Sequence, residues 1–331
     1  MLRWSYSTDR VLRRCHRQLA FGQVVASHNA RDPLRREAYV RRQLQSVAAW
    51  QGSVVHRVLA TDALADLRAD RPIAPLALAA AAHALAERQW AFSTARRYRE
   101  PGMTKAKAGD AYCALLVHES GEDAGDAPLR AVQENATRCF THLAGQANLL
   151  ARLYAGYERV SELPLALRSA KATVAATPDL IVAGYDGTLT IVDWKVSRAT
   201  DSKHAPQLLL YALMALESGR WRGLTPAKIG LYEVNLLDNK VYHHPLNAGD
   251  LEATAASVQA GVAELGRVLG DGAYARLDLG ALVIAAEPAA CASCVFTPLC
   301  IDGLVESGRD ADAATVTART SSQSDALFGD C

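Results

Sequence analysis

The sequence has 331 residues, with 36 Lys and Arg against 35 Asp and Glu, and a formal net charge of +1. Half of the residues are hydrophobic, which excludes an intrinsically disordered chain and allows one large domain or two smaller ones. No apolar run approaches the roughly 20 residues that span a bilayer, and the N-terminus lacks the apolar core of a signal peptide. We therefore expect a cytoplasmic protein without a membrane partner.

The near-neutral total conceals an uneven distribution of charge. Residues 1–42 contain ten arginines and three acidic residues, whereas residues 301–331 contain six acidic residues and two arginines. Arginine neutralises phosphates without reading bases, so the N-terminal cluster, with Arg13, Arg14 and Arg17, is a candidate DNA-binding surface. The alternative is a set of solvated helix faces in an arginine-rich composition, since only 7 of the 36 basic residues are lysine.

The N-terminal half has the hydrophobic spacing of helices. The pattern predicts four of them, over residues 5–19, 36–59, 73–88 and 128–157. The Gly/Asp-rich residues 121–126 have the composition of an exposed loop. We predict a helical N-terminal part over residues 1–70 and a helical insertion over residues 71–160.

The pattern then changes to strands. Two runs rich in β-branched residues follow each other, over residues 173–184 and 188–195. They flank Asp186 and Gly187, a pair that favours a tight hairpin turn. If these two residues form the loop, Tyr185 pairs with Thr188. Counting outward from that pair places Asp179 opposite Trp194.

The remaining pattern completes an α/β core. It predicts helices over residues 205–217 and 250–269 and, between them, two strands over residues 228–236 and 241–244. We predict the core over residues 161–250, a helix with a cysteine loop over residues 251–304, and a disordered tail over residues 305–331.

The hairpin brings acidic residues and a lysine together. Asp193 and Lys195 share one face of their strand, one step from Asp179, so a bulge or the strand twist would join the two carboxylates. Two such carboxylates form a hard-oxygen site for Mg²⁺ or Mn²⁺, and the lysine can hold a water or stabilise developing negative charge. Taken alone, this spacing is equally typical of a solvated hairpin end.

Four short motifs in sequence order resemble the PD-(D/E)XK nuclease core in its RecB-like branch, which includes CRISPR-associated exonucleases. They are Gly52-Ser53-Val54-Val55-His56, Pro178-Asp179, Asp193-Trp194-Lys195 and Gln207-Leu208-Leu209-Leu210-Tyr211. The resemblance implies a restriction-endonuclease-like core, in which helices flank a central mixed sheet, with a helical N-terminal region and a C-terminal cysteine loop.

The resemblance also implies roles for individual residues. His56, Asp179, Asp193 and the backbone carbonyl of Trp194 would bind the metal, and Lys195 would orient or activate the attacking water. The second acidic position is aspartate where many relatives carry glutamate. The alternative for His56 is a histidine of the hydrophobic core.

Gln207 and Tyr211 lie one helical turn apart and so share a helix face. The resemblance places them beside the metal site and the DNA strand. Ordinary core packing is the alternative for Tyr211.

Seven cysteines in a cytoplasmic chain favour ligation of a metal or cluster over disulfides. Cys291, Cys294 and Cys300 have the spacing C-x₂-C-x₅-C. Residues 5–19 around Cys15 resemble the first cysteine motif of AddB-like and CRISPR-associated RecB-like nucleases, which implies a [4Fe–4S] cluster held by all four cysteines. Four thiolates suit zinc equally well. The sequence departs from the family motif at one position, where His16 replaces the proline that usually follows the first cysteine.

The other three cysteines have no such neighbours in the sequence. Cys113 and Cys139 lie in apolar contexts typical of small buried hydrophobic residues, and Cys331 is terminal. We assign them no role.

Together these patterns predict a metal-dependent deoxyribonuclease, an exonuclease or a DNA-end-processing enzyme acting on single-stranded DNA or duplex ends. The resembling families act in DNA repair, CRISPR adaptation or antiphage defence. The sequence contains no G-x-x-x-x-G-K-[S/T] motif, so a separate helicase or another subunit of a defence or adaptation complex is an expected partner. The alternatives are a non-catalytic DNA-end-binding protein and a zinc-stabilised scaffold subunit of a helicase–nuclease or defence complex.

Overall fold

A computed structural model describes residues 2–121, 124–168, 172–197 and 204–300. The expected tail and Cys331 lie outside the described residues. Within those residues, no helix is both long enough and apolar enough to cross a membrane.

The described residues form helices through most of their length and eight strands. The α-helices are α1 (Tyr6–Arg14), α2 (His16–Ala20), α3 (Pro33–Arg41), α4 (Val47–Val58), α5 (Leu64–Arg68), α6 (Pro75–Thr94), α7 (Lys105–Ala108), α8 (Leu116–Glu119), α9 (Ala127–Ala144), α10 (Ala147–Tyr154), α11 (Ala205–Glu217), α12 (Ala248–Leu269) and α13 (Pro288–Ala292). The strands are β1 (Leu2–Trp4), β2 (Gly156–Ser161), β3 (Leu165–Arg168), β4 (Ala172–Ala176), β5 (Leu180–Gly184), β6 (Leu189–Lys195), β7 (Ile229–Asn235) and β8 (Lys240–His244).

The chain forms two compact units. The first comprises the described parts of residues 1–44, 169–173 and 260–331, and the second comprises those of residues 45–168 and 174–259. The first unit brings together residues from early and late in the chain, because the ring of Phe296 stacks on that of Phe21 with 5.4 Å between centroids. Around this pair the C-terminal loop shares a small core with α3 and the turns that follow α2.

The predicted helix over residues 5–19 is wrong in one respect, because it breaks at Cys15. This residue is extended, with φ −161° and ψ 111°, and its Sγ accepts a hydrogen bond from the Gln18 amide at 3.4 Å. The thiol therefore caps the start of α2, as polar side chains commonly do at helix N-termini.

Two longer predicted helices are also divided. The helix predicted over residues 36–59 is interrupted before Ser46, whose hydroxyl accepts from the Ala49 amide at 3.2 Å and caps α4. The helix predicted over residues 128–157 is interrupted at Gly145 and Gln146, where α9 ends and α10 begins. Hydrophobic periodicity continues across both breaks, so only the capping side chains or the glycine mark them.

The second unit contains a mixed five-stranded sheet in the order β2-β5-β6-β7-β8. Strands β6 and β7 are parallel and the other neighbours are antiparallel. One sheet face shares a buried core with α4, α6 and α9, to which Val192 and Trp194 of β6 contribute. The alternate residues Asp193 and Lys195 therefore project from the opposite face, where α11 packs. The predicted α/β class, with helices around a mixed sheet, is confirmed.

The predicted hairpin is present, but its register is wrong by one residue. Leu180 pairs with Val192, and the Gly184 amide donates to the Thr188 carbonyl at 2.9 Å. The loop has three residues rather than two and ends at Gly187 with φ +77°, a conformation that glycine adopts without strain. In this register, Asp179 and Asp193 lie opposite each other, one position beyond the Leu180–Val192 pair. The two carboxylates therefore approach each other without a bulge.

Candidate active site and cysteine site

The two predicted acidic residues lie together at the end of the β5–β6 hairpin. Asp179 directly precedes β5, and the Trp194 amide donates to its Oδ2 at 2.7 Å. The backbone carbonyl of Asp179 accepts from the hydroxyl of Ser161 at 2.6 Å. Asp193 lies in β6 with 1% of its surface exposed. The hairpin and the neighbouring strand thus hold both carboxylates in place.

His56 reaches this pair from α4. The helix buries Trp50, Val54 and Val58 along one face, whereas His56 lies off that face with 30% of its side chain exposed. Its Nδ1 is 3.4 Å from Oδ1 of Asp179. One helical turn earlier, a Cβ added at Gly52 would meet no atom of the described residues within 4 Å, so the helix borders open space at that position.

Lys195 connects the carboxylates to α11. Its Nζ lies 2.5 Å from Oδ2 of Asp193 and donates to Oε1 of Gln207 at 3.3 Å. Gln207 in turn donates from Nε2 to the Tyr211 hydroxyl at 2.5 Å. Two predicted motifs, one on β6 and one on α11, therefore form one polar network.

Burial dominates the electrostatics of Asp193. It raises the pKa of this carboxyl to about 6, and the charge of Asp179 acts in the same direction, while Lys195 and His56 lower it. The carboxylate is thus more costly to ionise in the folded protein than in water.

The neighbouring groups respond to the same negative charges. Desolvation lowers the pKa of His56, but the hydrogen bond with Asp179 and the charges of Asp179 and Asp193 outweigh it, so the net shift is upward. Burial, together with these carboxylates, also raises the pKa of Tyr211. The site therefore attracts cations and disfavours additional negative charge.

These residues fit a divalent metal ion. Oδ2 of Asp193 is buried and, within the described residues, has no aligned hydrogen-bond donor, although Lys195 lies close. Carboxylate oxygens are the ligands that Mg²⁺ and Mn²⁺ prefer, and imidazole also accepts such ions. In the described ranges, no group of three or more His, Cys, Asp or Glu side chains already has the spacing of a metal site. Asp193 is paired with Lys195, and Asp179 lies within 3.4 Å of His56.

Comparison with known proteins identifies the family. A family model described as the PD-(D/E)XK nuclease superfamily matches residues 3–301. The chain belongs to this superfamily. A search of curated proteins gave no significant match. Superfamily membership makes this nuclease a hydrolase that cleaves DNA with divalent metals such as Mg²⁺ or Mn²⁺.

Next to Asp193, the nuclease has another buried carboxylate that the sequence motifs did not indicate. Glu233 of β7 pairs with Asp193 in the parallel ladder and is 3% exposed. Its Oε2 lies 3.2 Å from Nε2 of His244 on β8. Only the register between β6 and β7 relates Glu233 to Asp193, and this register has no sequence signal of its own.

All four cysteines predicted to bind a cluster belong to the first unit of the nuclease. Cys15 lies between α1 and α2, and a compact turn holds the others, with the Cys294 amide donating to the Cys291 carbonyl at 3.0 Å. Burial raises the pKa of Cys291 and Cys294, and the charges of Cys15 and Cys300 raise both further. The four thiols are therefore electrostatic neighbours of the kind that iron–sulfur clusters and zinc use as donors, but in the described residues they do not already have the spacing of a metal site.

The remaining described cysteines are isolated from this site. Cys113 and Cys139 are buried free thiols in the second unit, and burial raises the pKa of each to about 12. Thiols with such pKa values stay protonated near neutral pH and pack as small apolar groups.

The three arginines proposed to contact DNA differ in exposure. Arg13 and Arg14 are exposed, Arg13 pairing with Asp9 and Arg14 donating to Gln18. Arg17 is buried, and its Nη1 donates to Sγ of Cys300 at 3.4 Å. Its prediction as a phosphate contact is wrong, because its position in α2 directs the guanidinium into the core of the first unit.

Metal binding by the nuclease is expected to weaken as the pH falls. Metal ligands must be deprotonated, whereas Asp193 has a pKa of about 6 and His56 a raised pKa. Both groups therefore take up protons in competition with metal between pH 8 and pH 6. We expect the affinity for Mn²⁺ to fall at least about tenfold over this range, with protons released on binding.

Isothermal titration calorimetry in buffers of different ionisation enthalpy measures both quantities. A His56→Gln variant is the control, because it should lose the part of the pH dependence that belongs to the imidazole. An affinity for Mn²⁺ that is the same at pH 6 and pH 8 would contradict this account.

Proposed function

We propose that this nuclease is an exonuclease or DNA-end-processing enzyme of the RecB-like, CRISPR-associated type. The observation that carries the proposal is the convergence of all four motifs. His56 contacts Asp179, Asp179 binds the Trp194 amide, and Lys195 contacts both Asp193 and Gln207. Motifs far apart in sequence thus meet at one end of one hairpin.

Each residue has a role that follows from its position. His56, Asp179, Asp193 and the Trp194 carbonyl are the proposed ligands of a divalent ion, which supplies Lewis-acid stabilisation of the scissile phosphate. Lys195, held between Asp193 and Gln207, donates a hydrogen bond to the attacking water and offsets negative charge on the phosphate.

Substrate topology tests this function. We expect the wild-type protein with Mn²⁺ to degrade end-labelled linear single-stranded DNA or duplex ends and to leave covalently closed single-stranded circles intact. Cleavage of circles at the rate of linear DNA would show an endonuclease instead. Binding of DNA ends without any cleavage in Mg²⁺ or Mn²⁺ would favour the non-catalytic end-binding alternative.

We further propose that Cys15, Cys291, Cys294 and Cys300 bind a [4Fe–4S] cluster. Their electrostatic proximity and the N-terminal cysteine motif support this assignment, and zinc is the alternative for the same four thiolates. Anaerobic purification followed by absorption spectroscopy and by iron, sulfide and zinc analysis decides between them. A colourless sample that contains zinc and no iron would favour the alternative of a zinc-stabilised scaffold subunit.

The proposed setting is DNA repair, CRISPR adaptation or antiphage defence, with a separate helicase or complex subunit as partner. The chain carries a nuclease site but no P-loop motif. Unwinding of long duplexes is therefore assigned to another protein. Degradation of long blunt duplex DNA at the rate of single-stranded DNA, without any added protein, would contradict this assignment.

Removal of the Tyr211 hydroxyl is expected to slow cleavage moderately. The Tyr211→Phe change leaves Nε2 of Gln207 without the acceptor that orients it, while the Lys195–Gln207 contact remains. One hydrogen bond contributes about 0.5–1.5 kcal/mol, which corresponds to roughly a 2- to 12-fold decrease in rate.

Single-turnover cleavage of labelled single-stranded DNA measures this decrease. Gln207→Ala, which removes both contacts, should reduce the rate further. Equal rates for Tyr211→Phe, Gln207→Ala and the wild type would show that Tyr211 only packs in the core.

A further inference from the structure

Arg17 is an unusual buried charge in the first unit. It lies in α2, two residues after Cys15, and is 6% exposed. Its Nη2 faces the carbonyls of Gly280 and Leu282, at 3.5 and 3.4 Å, and its Nη1 donates to Sγ of Cys300 at 3.4 Å. Its Nε is buried and has no hydrogen-bond partner in the described part of the chain.

Within the described residues, the charge of this side chain has no carboxylate partner. A guanidinium stays protonated in proteins, and a buried ion without a counter-ion costs several kcal/mol. Among the described residues, no acidic side chain forms an ion pair with Arg17, whereas Arg13, one turn earlier, pairs with Asp9. Two carbonyl oxygens at long distances supply only partial compensation.

The cysteine site is the group that can supply the missing negative charge. Arg17 contacts Cys300 directly, follows Cys15 closely in the chain and interacts electrostatically with Cys291. Thiolates bound to iron or zinc leave the site with a net negative charge, which a guanidinium stabilises in a dry interior.

We propose that Arg17 is the buried counter-charge of the cysteine site and the positioning residue of Cys300. The inference rests on the proposed function of that site as a thiolate–metal centre. Arg17 donates from Nη1 to Cys300 and from Nη2 to the carbonyls of Gly280 and Leu282. One side chain therefore contacts both the last cysteine and the loop that precedes the cysteines.

This role has a consequence for the chemistry of the centre. Hydrogen bonds to the sulfurs and nearby positive charge are among the factors that set the potential of an iron–sulfur cluster. The reduced cluster is the more negative state, so the charge of Arg17 favours it and raises the reduction potential. With zinc in the site, the same charge favours the bound thiolates and slows release of the metal.

The test compares variants of the full-length protein purified without oxygen. Arg17→Gln removes the charge, and Arg17→Lys retains a positive charge but lacks the planar guanidinium. Arg10→Gln is the matched control, because it removes an exposed charge from α1. Iron and zinc content, the rate of metal release to a chelator and, where iron is present, the midpoint potential are measured for each.

We expect Arg17→Gln to release metal about tenfold faster or more, as for other groups that support metal ligands, and to show a lower midpoint potential. Arg17→Lys should release metal at an intermediate rate, with a potential nearer to the wild type. Arg10→Gln should match the wild type in every measurement.

The outcomes separate this inference from the proposed function. Wild-type protein without iron or zinc would refute the metal centre itself. Bound metal with wild-type release rate and potential in Arg17→Gln would overturn the role of Arg17 alone. If Arg17→Gln does not fold, Arg17→Lys decides, because wild-type metal release in that variant would show that the guanidinium does not position Cys300.

Discussion

Replacing Asp193 with asparagine is expected to abolish DNA cleavage and, at the same time, to stabilise the metal-free protein. The carboxylate is a proposed metal ligand, and its loss should lower the cleavage rate about a thousandfold or more. The same carboxylate is buried, and its pKa of about 6 shows that its charged form is disfavoured in the fold. Asparagine has nearly the same shape without the charge.

The sign of the stability effect follows from proton linkage. The raised pKa means that the folded protein binds more protons than the unfolded chain between about pH 4 and pH 6. The contribution of Asp193 to stability is therefore present below its unfolded pKa and is lost as the pH rises to about 6. At pH 8 the neutral variant should gain of the order of 1–3 kcal/mol in its free energy of unfolding.

Thermal unfolding in EDTA at several pH values measures this gain. Asp193→Asn should unfold a few degrees above the wild type at pH 8, and the difference should narrow as the pH approaches 4.5. Asp186→Asn is the matched control, because Asp186 lies exposed in the same hairpin and its pKa is lowered by hydrogen bonds from Thr188. That variant should cleave DNA normally and gain no stability.

Two results would contradict this account. A wild-type cleavage rate in Asp193→Asn would exclude the residue from the metal site. A lower unfolding temperature at pH 8 would show that the ion pair with Lys195 outweighs the desolvation of Asp193.

The hairpin shows how far the sequence could predict this site. The two-residue period of a strand placed Asp193 and Lys195 on one face, and the run predicted over residues 188–195 matches β6 to within one residue. The run predicted over residues 173–184 contains two strands, β4 and β5. The register was wrong because Asp-Gly is compatible with a two-residue loop and with a three-residue loop that ends at glycine. Hydrogen bonding between Gly184 and Thr188 decides for the longer loop.

Other features depend on contacts that hydrophobic patterns do not encode. Cys15 interrupts a continuous amphipathic pattern because its thiol caps α2, and Arg17 is buried because its partners come from residues 280–300. Glu233 lies beside Asp193 only through the pairing of β6 with β7. Contacts between residues distant in sequence determine all three, whereas the positions of helices and strands follow mainly from local periodicity.

The largest expected effect in the first unit is that of Cys15→Ser. Cys15 and Cys291 are far apart in the chain, so the proposed metal centre would close a very long loop and stabilise the fold by several kcal/mol in polymer models. Serine is a poor ligand for iron or zinc but a favourable helix N-cap, so it keeps the cap on α2 that the thiol provides. The change therefore separates ligation from capping.

We expect Cys15→Ser to lose its iron or zinc and to unfold at a markedly lower temperature, measured by metal analysis and calorimetry. Cys113→Ser is the control, because this buried thiol lies in the second unit and should keep full metal content even if packing suffers. If Cys15→Ser keeps its metal and its unfolding temperature, the fourth ligand is another residue.

His16, whose imidazole follows directly in α2, is then the next residue to replace, since neutral imidazole is itself a metal ligand. Loss of metal in His16→Ala but not in Cys15→Ser would assign the fourth position to the histidine.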